Sequence, residues 1–298
     1  MRIGLIGVPF NSTGLPGGEA RAPAALRAAG LVDALQRVAE IRDYGDIALP
    51  ESSPERDPTT GIIAPANLAE MVAAVRVLVA QAIGDGNVPL VIGGECPMLL
   101  GCLATARDTY GRVGLFFVDG HEDAWPPHQS TTGEAADMEL GFALGLTAAT
   151  GVPDLDALLP LVCPNDAIVL GPRDRDELVA TNVPSVASTV TFRDDRALLA
   201  TDLDTAGLAL TRQLQAAAAN WWCHLDLDVL AERSFSAIRY PQPGGLSWPH
   251  IEMIAGAALR APGLIGWNIT IYNPDLDFDG RGADQIVTFL ERMFSDRS

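Results

Sequence analysis

The 298-residue sequence contains no lysine, so every one of its 20 basic side chains is an arginine. That absence reads as the codon bias of a GC-rich genome and carries no chemistry of its own. The deficit of positive charge does carry meaning. Against 38 acids the chain has a net charge of −18, which excludes nucleic acid and anionic membrane surfaces as expected partners. Cysteine is sparse, and Cys96, Cys102, Cys163 and Cys223 form neither a CxxC pair nor a dense disulfide framework. The longest apolar runs, such as Val113–Val118 and Ala167–Gly171, have strand length and are too short to cross a bilayer. With no cationic leader followed by an apolar stretch, the expected location is cytoplasmic. Charged residues are only 19% and hydrophobic ones 48%, so wholesale disorder is excluded and a large core is expected. No Pro/Ser-rich linker, composition shift or internal repeat divides the chain, which predicts a single domain over 1–298.

What is present alternates. Short apolar runs at Ile3–Val8, Val88–Ile92, Val113–Val118, Ala167–Leu170, Trp221–Leu227 and Leu264–Ile271 read as buried parallel strands. Between them, Ala24–Arg37, Asn67–Ile83, Pro97–Arg107, Ala197–Ala218, Pro249–Leu259 and Ala283–Phe294 have helical length and periodicity. Alternating β and α elements predict a doubly wound parallel sheet with helices on both faces. The polar stretches 47–65 and 119–139 read as loops, the second starting at the carboxyl end of a strand, where open α/β sheets bind ligands.

Three short runs concentrate the chemistry. In Asp119-Gly-His121-Glu-Asp123, alternate residues of an extended segment share a face, so two carboxylates and an imidazole can converge on a cation. Trp221-Trp-Cys-His-Leu-Asp226-Leu-Asp228 is an apolar strand ending in two acids at i, i+2. Buried there, they must be paired, protonated or ligating. Gly93-Gly94-Glu95-Cys96-Pro97 sets a cysteine at a strand–helix junction, where it can be a ligand, a reactive thiol or an inert core residue.

In order and spacing these runs resemble the ureohydrolase family of arginase, agmatinase and their relatives. Gly93–Cys96 is similar to that family's Gly-Gly-Asp-His, Asp119–Asp123 to Asp-Ala-His-x-Asp, and Asp226–Asp228 to Asp-x-Asp. Gly7-Val-Pro-Phe-Asn through Ala22-Pro-Ala-Ala-Leu resembles the first strand, glycine loop and first helix, and Asn273-Pro274 the Asn-Pro after the last core strand. The resemblance implies a three-layer α/β/α fold with a doubly wound sheet of about eight parallel strands. It also implies two divalent metals, usually Mn²⁺, bridged by a hydroxide that attacks a guanidinium carbon. Asp119 and Asp226 would bridge the metals, His121 and Asp228 would complete one site, and Asp123 and Cys96 the other. Relatives are often trimers or hexamers, which implies a homo-oligomer.

The sequence departs from the family pattern at four places. Cys96 stands where the family has histidine, and a thiolate there favours Zn²⁺ or Fe²⁺ over Mn²⁺. Ala136 stands at the proton-shuttling histidine, Ile271 at the carboxylate that grips the guanidinium, and Ala231 at the acid after Asp-x-Asp. Asp123 and His128 are the catalytic candidates, His128 as a replacement acid–base group on the loop after Asp123. Glu134, Asp176 and Trp125 are the candidates for contacting a small-molecule substrate. An acid at Glu134 repels a substrate carboxylate, so a cationic or neutral tail is expected. His224 and His250 read as structural. The expected activity is therefore metal-dependent hydrolysis of a non-peptide C–N bond in a guanidino or amidino compound other than arginine. A single-metal amide hydrolase like the deacetylases of this fold, and a lapsed homologue serving as a binding or assembly subunit, are the alternatives.

Overall fold

The computed structural model describes residues 1–147 and 149–295. Its centre is one sheet of eight parallel strands: β1 (Arg2–Val8), β2 (Glu40–Asp46), β3 (Val88–Gly93), β4 (Val113–Val118), β5 (Ala167–Gly171), β6 (Thr191–Asp194), β7 (Asn220–Asp226) and β8 (Leu264–Thr270). They lie in the order β2-β1-β3-β8-β7-β4-β5-β6. The six strands read as apolar runs are the six interior ones. The two that the apolar pattern does not show are the edges, β2 and β6, which carry charged and half-exposed residues because only one neighbour covers them.

Side-chain alternation along the strands splits the core between two faces. Ile3, Leu5, Phe116, Val118, Trp221, Cys223 and Leu225 face one side. There they meet α1 (Ala22–Ala28), α2 (Leu31–Gln36) and four later helices. On the other side, Ile6, Val8, Leu115, Phe117 and Trp222 meet α3 (Pro65–Gly84) and α4 (Met98–Tyr110). The chain continues with α5 (Glu139–Ala143), α6 (Pro153–Asp156), α7 (Arg175–Thr181), α8 (Asp195–Leu199), α9 (Leu203–Ala217), α10 (Trp248–Arg260) and α11 (Arg281–Ser295). Helices α8, α9, α10 and α11 complete the first face, so the architecture is three-layer α/β/α.

Two predicted helices are each divided. Ala24–Arg37 breaks where Gly30 takes φ 85°, a left-handed conformation that glycine adopts without a Cβ penalty. Ala197–Ala218 breaks at Asp202, whose extended backbone starts α9 afresh. One expectation needs correction: α3 is long and apolar enough, at 20 residues, to cross a membrane by length and composition. Its apolar side chains include Leu68, Met71, Val72, Val75 and Val79, all buried against the sheet, so it is accounted for as a core helix.

The carboxyl ends of β3, β8, β7 and β4, adjacent in the sheet, carry Cys96, Ile271, Asp226 and Asp119 respectively. Gly94 ties the first two together. Its N–H donates to the Val8 carbonyl at 3.1 Å and its carbonyl accepts from Ile271 N at 2.9 Å. A Cβ added there would meet the Val8 carbonyl at 2.7 Å and Phe10 N at 2.8 Å, and backbone cannot swing aside as a side chain can. We therefore expect Gly94→Ala to cost about 1–3 kcal/mol by overpacking. It should appear as a lower urea midpoint at unchanged slope, and an unshifted midpoint would show that the junction relaxes freely.

Candidate metal centre

Backbone geometry brings the two acidic runs together. Beyond β4, the Gly120 N–H donates to Asp228 Oδ1 at 2.9 Å and the His121 N–H to Asp119 Oδ1 at 2.7 Å. A Cβ on Gly120 would sit 2.6 Å from Asp228 Oδ1, so only glycine allows this approach. After β7 the chain makes a 3₁₀ turn over Leu227–Val229, with Asp226 Oδ1 accepting the Asp228 N–H at 2.6 Å. The turn keeps both aspartates at the site. Asp123 has φ 41°, and its carbonyl accepts from Leu140 N at 2.9 Å and Gly141 N at 3.1 Å, which pins α5 beside the cluster.

The ligand candidates converge and are buried. Asp119 is 0% exposed, Asp226 1%, Asp228 5%, Asp123 6% and Cys96 0%. Burial, followed by repulsion from neighbouring carboxylates, pushes Asp119, Asp123 and Asp226 upward in pKa, the last two well above the ordinary range. Asp228 alone falls, because its His121, Arg173 and Gly120 contacts outweigh the cost of its burial. His121 Nδ1 lies 2.8 Å from Asp228 Oδ2. Burial works against the imidazolium, yet Asp228 and Asp119 prevail and lift its pKa to about 9. The Cys96 thiol donates to Asp226 Oδ2 at 2.7 Å and lies 3.1 Å from Thr270 Oγ1. Burial and Asp226 push it well above an ordinary thiol.

Two further residues belong to this cluster that the sequence did not disclose. Glu139, at the start of α5, is 0% exposed with neither carboxylate oxygen hydrogen-bonded among the described residues. His224, read as structural, sets Nε2 3.6 Å from Asp119 Oδ2, and among the described residues neither atom has a closer hydrogen-bond partner. No regular spacing links Glu139 and His224 to the acidic runs, so only the packing of α5 and β7 against β4 reveals them.

The donors suit divalent cations. Ligand atoms of Asp119, His121 and Asp123 lie within 4.8 Å of one another, and so do those of Asp119, Asp226 and Asp228. Such spacing matches ligand–metal bonds of roughly 2.0–2.3 Å. Asp119 Oδ2, whose nearest partner among the described residues is His224 Nε2 at 3.6 Å, gives the same indication, since a buried carboxylate oxygen without a close hydrogen bond suits a cation.

Above the cluster opens a cavity of about 470 Å³ lined by Trp125, Glu134, Ala136 and Ile271. Of the four departures named above, Ala136 and Ile271 face it, whereas Cys96 and Ala231 are not part of its lining. Two expected residues do not arrive. His128 is exposed and projects from a turn closed by Gln129 N to the Pro126 carbonyl at 2.8 Å, which Arg56 clamps through the carbonyls of Pro127 and Ser130. Asp176 is exposed on α7; one residue on, 100° around the helix, Glu177 lines the mouth instead. The structure adds Glu19, Glu95, Arg239 and Tyr240 to the wall. Arg239 Nη2 donates to Glu19 at 3.3 Å, and Tyr240 donates to Glu134 at 3.0 Å.

Burial raises the cavity carboxyls: Glu95 reaches about 8, with Glu19 next in effect, and Asp137 about 7. Their folded pKa values exceed the unfolded ones, so their contribution is complete below about pH 4.5 and is lost as pH climbs through 7 to 8. His121, raised to about 9, acts in the same direction. Chelator-treated protein should therefore melt at a lower temperature near pH 8.5 than near pH 5.5, with Glu95→Gln narrowing the gap. A melting temperature that rises over this interval would contradict the assignment.

Comparison with known proteins agrees with this geometry. The arginase family model matches residues 1–295. Arginase of Bacillus caldovelox is 26% identical over 99% of this chain and 98% of its own. Its solved structure superposes with a TM-score of 0.86 at 22% identity, covering 98% and 97%. Formimidoylglutamase of Bacillus subtilis gives 0.75 at 16% identity, covering 99% and 86%. Proclavaminate amidino hydrolase of Streptomyces clavuligerus gives 0.72 at 15%, covering 99% and 91%. With the family model spanning nearly every residue and the acidic runs meeting at the sheet's carboxyl edge, this chain belongs to the arginase family.

Proposed function

We propose that this protein hydrolyses a non-peptide C–N bond in a small guanidino or amidino compound other than arginine. The observation that carries the reading is the buried carboxylate cluster forming the floor of an acidic cavity whose wall has Ile271 where the family has a guanidinium-gripping carboxylate. A divalent cation, Mn²⁺ by family habit, would lower the pKa of water and screen the converging acids. Asp119, His121, Asp123, Asp226 and Asp228 would hold it. Relatives with this fold carry the names arginase, formimidoylglutamase and proclavaminate amidino hydrolase, so one scaffold serves several amidine-type bonds. The same reading extends to a cytoplasmic homo-oligomer.

The chain's own residues favour a positive or neutral substrate. Glu19, Glu95, Glu134, Asp137 and Glu177 line the cavity against Arg239, which Glu19 already engages. A cation would lower the pKa of Glu95 and Asp137 and pair with them, an advantage that a substrate carboxylate lacks. Trp125, Ala136 and Ile271 give the cavity apolar surface that excludes water around a planar amidine. Glu95 is held by the Ser12 N–H at one oxygen, sits beside the Gly94–Ile271 bond, and is the nearest sequence neighbour of Cys96. It is suited to receive the charge that Ile271 does not.

A panel of guanidino and amidino compounds, assayed for urea or ammonia release on Mn²⁺-loaded protein, tests this. Turnover of a cationic or neutral-tailed amidine should exceed that of arginine, and Asp228→Ala should lower it by at least about a hundredfold. Faster turnover of arginine than of every other compound would overturn the substrate assignment. Ile271→Glu should raise arginine or agmatine turnover above that of the unaltered chain.

A further inference from the structure

The Cys96 thiol has partners beyond the positions the family pattern gives it. Ligand atoms of Cys96, Asp119, Glu139 and His224 all lie within 4.8 Å of one another, and all four residues are 0% exposed. Among the described residues both oxygens of Glu139 lack a hydrogen-bond partner, and Asp119 Oδ2 and His224 Nε2 have nothing nearer than each other, at 3.6 Å. Leaving both oxygens of a fully buried carboxylate unsatisfied beside so long a contact is costly, and a cation is the group that satisfies a carboxylate, a thiolate and an imidazole together. We propose that Cys96, Asp119, Glu139 and His224 form a cation site of zinc type, displaced from the family's pair toward β7. It shares Asp119 with the oxygen-rich site at His121, Asp123, Asp226 and Asp228.

Donor chemistry sets the metal class. One sulfur, one imidazole nitrogen and two carboxylate oxygens in a closed, buried group suit Zn²⁺ or Co²⁺ far better than Mn²⁺. On binding, the thiol bond to Asp226 gives way to a sulfur–metal bond and the Sγ proton leaves for solvent.

His224 adds a signature of its own. Trp222 Nε1, which can only donate, gives its proton to Asn268 Oδ1 at 2.7 Å, so Asn268 Nδ2 faces His224 Nδ1 at 2.7 Å. In the metal-free chain Nδ1 therefore accepts and the ring proton sits on Nε2. Ligation through Nε2 moves that proton to Nδ1. Asn268 must then turn its carbonyl oxygen toward the imidazole, and the Trp222 indole N–H loses its acceptor. An aspartate at 268 would accept from both Trp222 and Nδ1–H, favouring the ligating tautomer as carboxylate–histidine–metal triads do.

Titration of the chelator-treated full-length chain with Co²⁺ tests the site without reference to activity. A thiolate-to-cobalt charge-transfer band is expected, absent in Cys96→Ser and requiring about 10–100-fold more cobalt in Glu139→Gln and His224→Gln. Asp123→Asn should leave the band in place. Asn268→Asp should tighten binding, and the Trp222 indole N–H resonance should shift as wild-type protein fills. Thermal melts of each metal-free variant separate lost binding from lost folding. The proposal falls if the wild type shows no thiolate band. It falls equally if Asp123→Asn abolishes the band while Glu139→Gln spares it, which would return the thiol to the family's own ligand set. Failure there leaves the amidine-hydrolase reading standing, because turnover by the oxygen-rich site does not require Cys96.

Discussion

Everything at the carboxyl edge of this sheet follows from packing like charges where little water surrounds them. Asp119, Asp123, Asp226, Asp228 and Glu139 are buried in overlapping groups that share Asp119, with ligand atoms within 4.8 Å of one another in each group and a thiol in one of them. Isolated ions in such a place would neutralise by taking up protons, and the upward pressure on Asp123, Asp226, Glu139 and Cys96 is that tendency. Only Asp228 escapes it, and it does so by standing 2.8 Å from a histidine that thereby holds its proton up to about 9. The His121 proton is the chain's internal substitute for a cation. A metal at the same place supplies more charge and frees the imidazole lone pair, so protons and metal compete for one site.

This constraint explains why so much of the surrounding backbone is specialised. Gly120 is needed because Asp228 lies where a Cβ would be, and Asp123 takes a left-handed φ so that its carbonyl can hold α5 while its carboxylate stays in the cluster. Ile271, a β-branched residue at φ 70°, is a stronger deviation, of a kind that costs about 1–3 kcal/mol. Its N–H bond to the Gly94 carbonyl keeps it there. The strain sits at the strand end that faces the cavity, where a shaped wall matters more than a relaxed chain.

Much of this was legible in the sequence, and the boundary has physical causes. Interior strands announce themselves because both faces are buried; β2 and β6 are edges and look like polar chain. The acids at i, i+2 in 119–123 and 226–228 could be placed on one face because they share a short extended segment, and the folded chain keeps them together. His128 lies exposed: proximity along a loop says nothing about direction, and the turn that carries it is clamped by Arg56. Asp176 was off by one residue, which on a helix is a rotation of 100°. Glu139 and His224 lay beyond reach altogether. The former begins a five-residue helix that no periodicity marks, and the latter sits among apolar neighbours on a strand as any core histidine would.

The altered residues are better understood together than as separate losses. Position 271 carries no charge and position 136 no proton-transferring group, while buried carboxyls stand at Glu95, Glu134 and Glu139, on the adjoining strand end, the cavity wall and the first turn of α5. A site decaying by drift would be expected to shed buried acids first, since each costs several kcal/mol unless compensated and neutral replacements of the same size are available. This chain instead holds more of them than its cation-binding motifs require. Their burial is tolerable only if positively charged species, whether metal, substrate or proton, regularly occupy the space between them, and the cavity above the cluster gives the first two a way in.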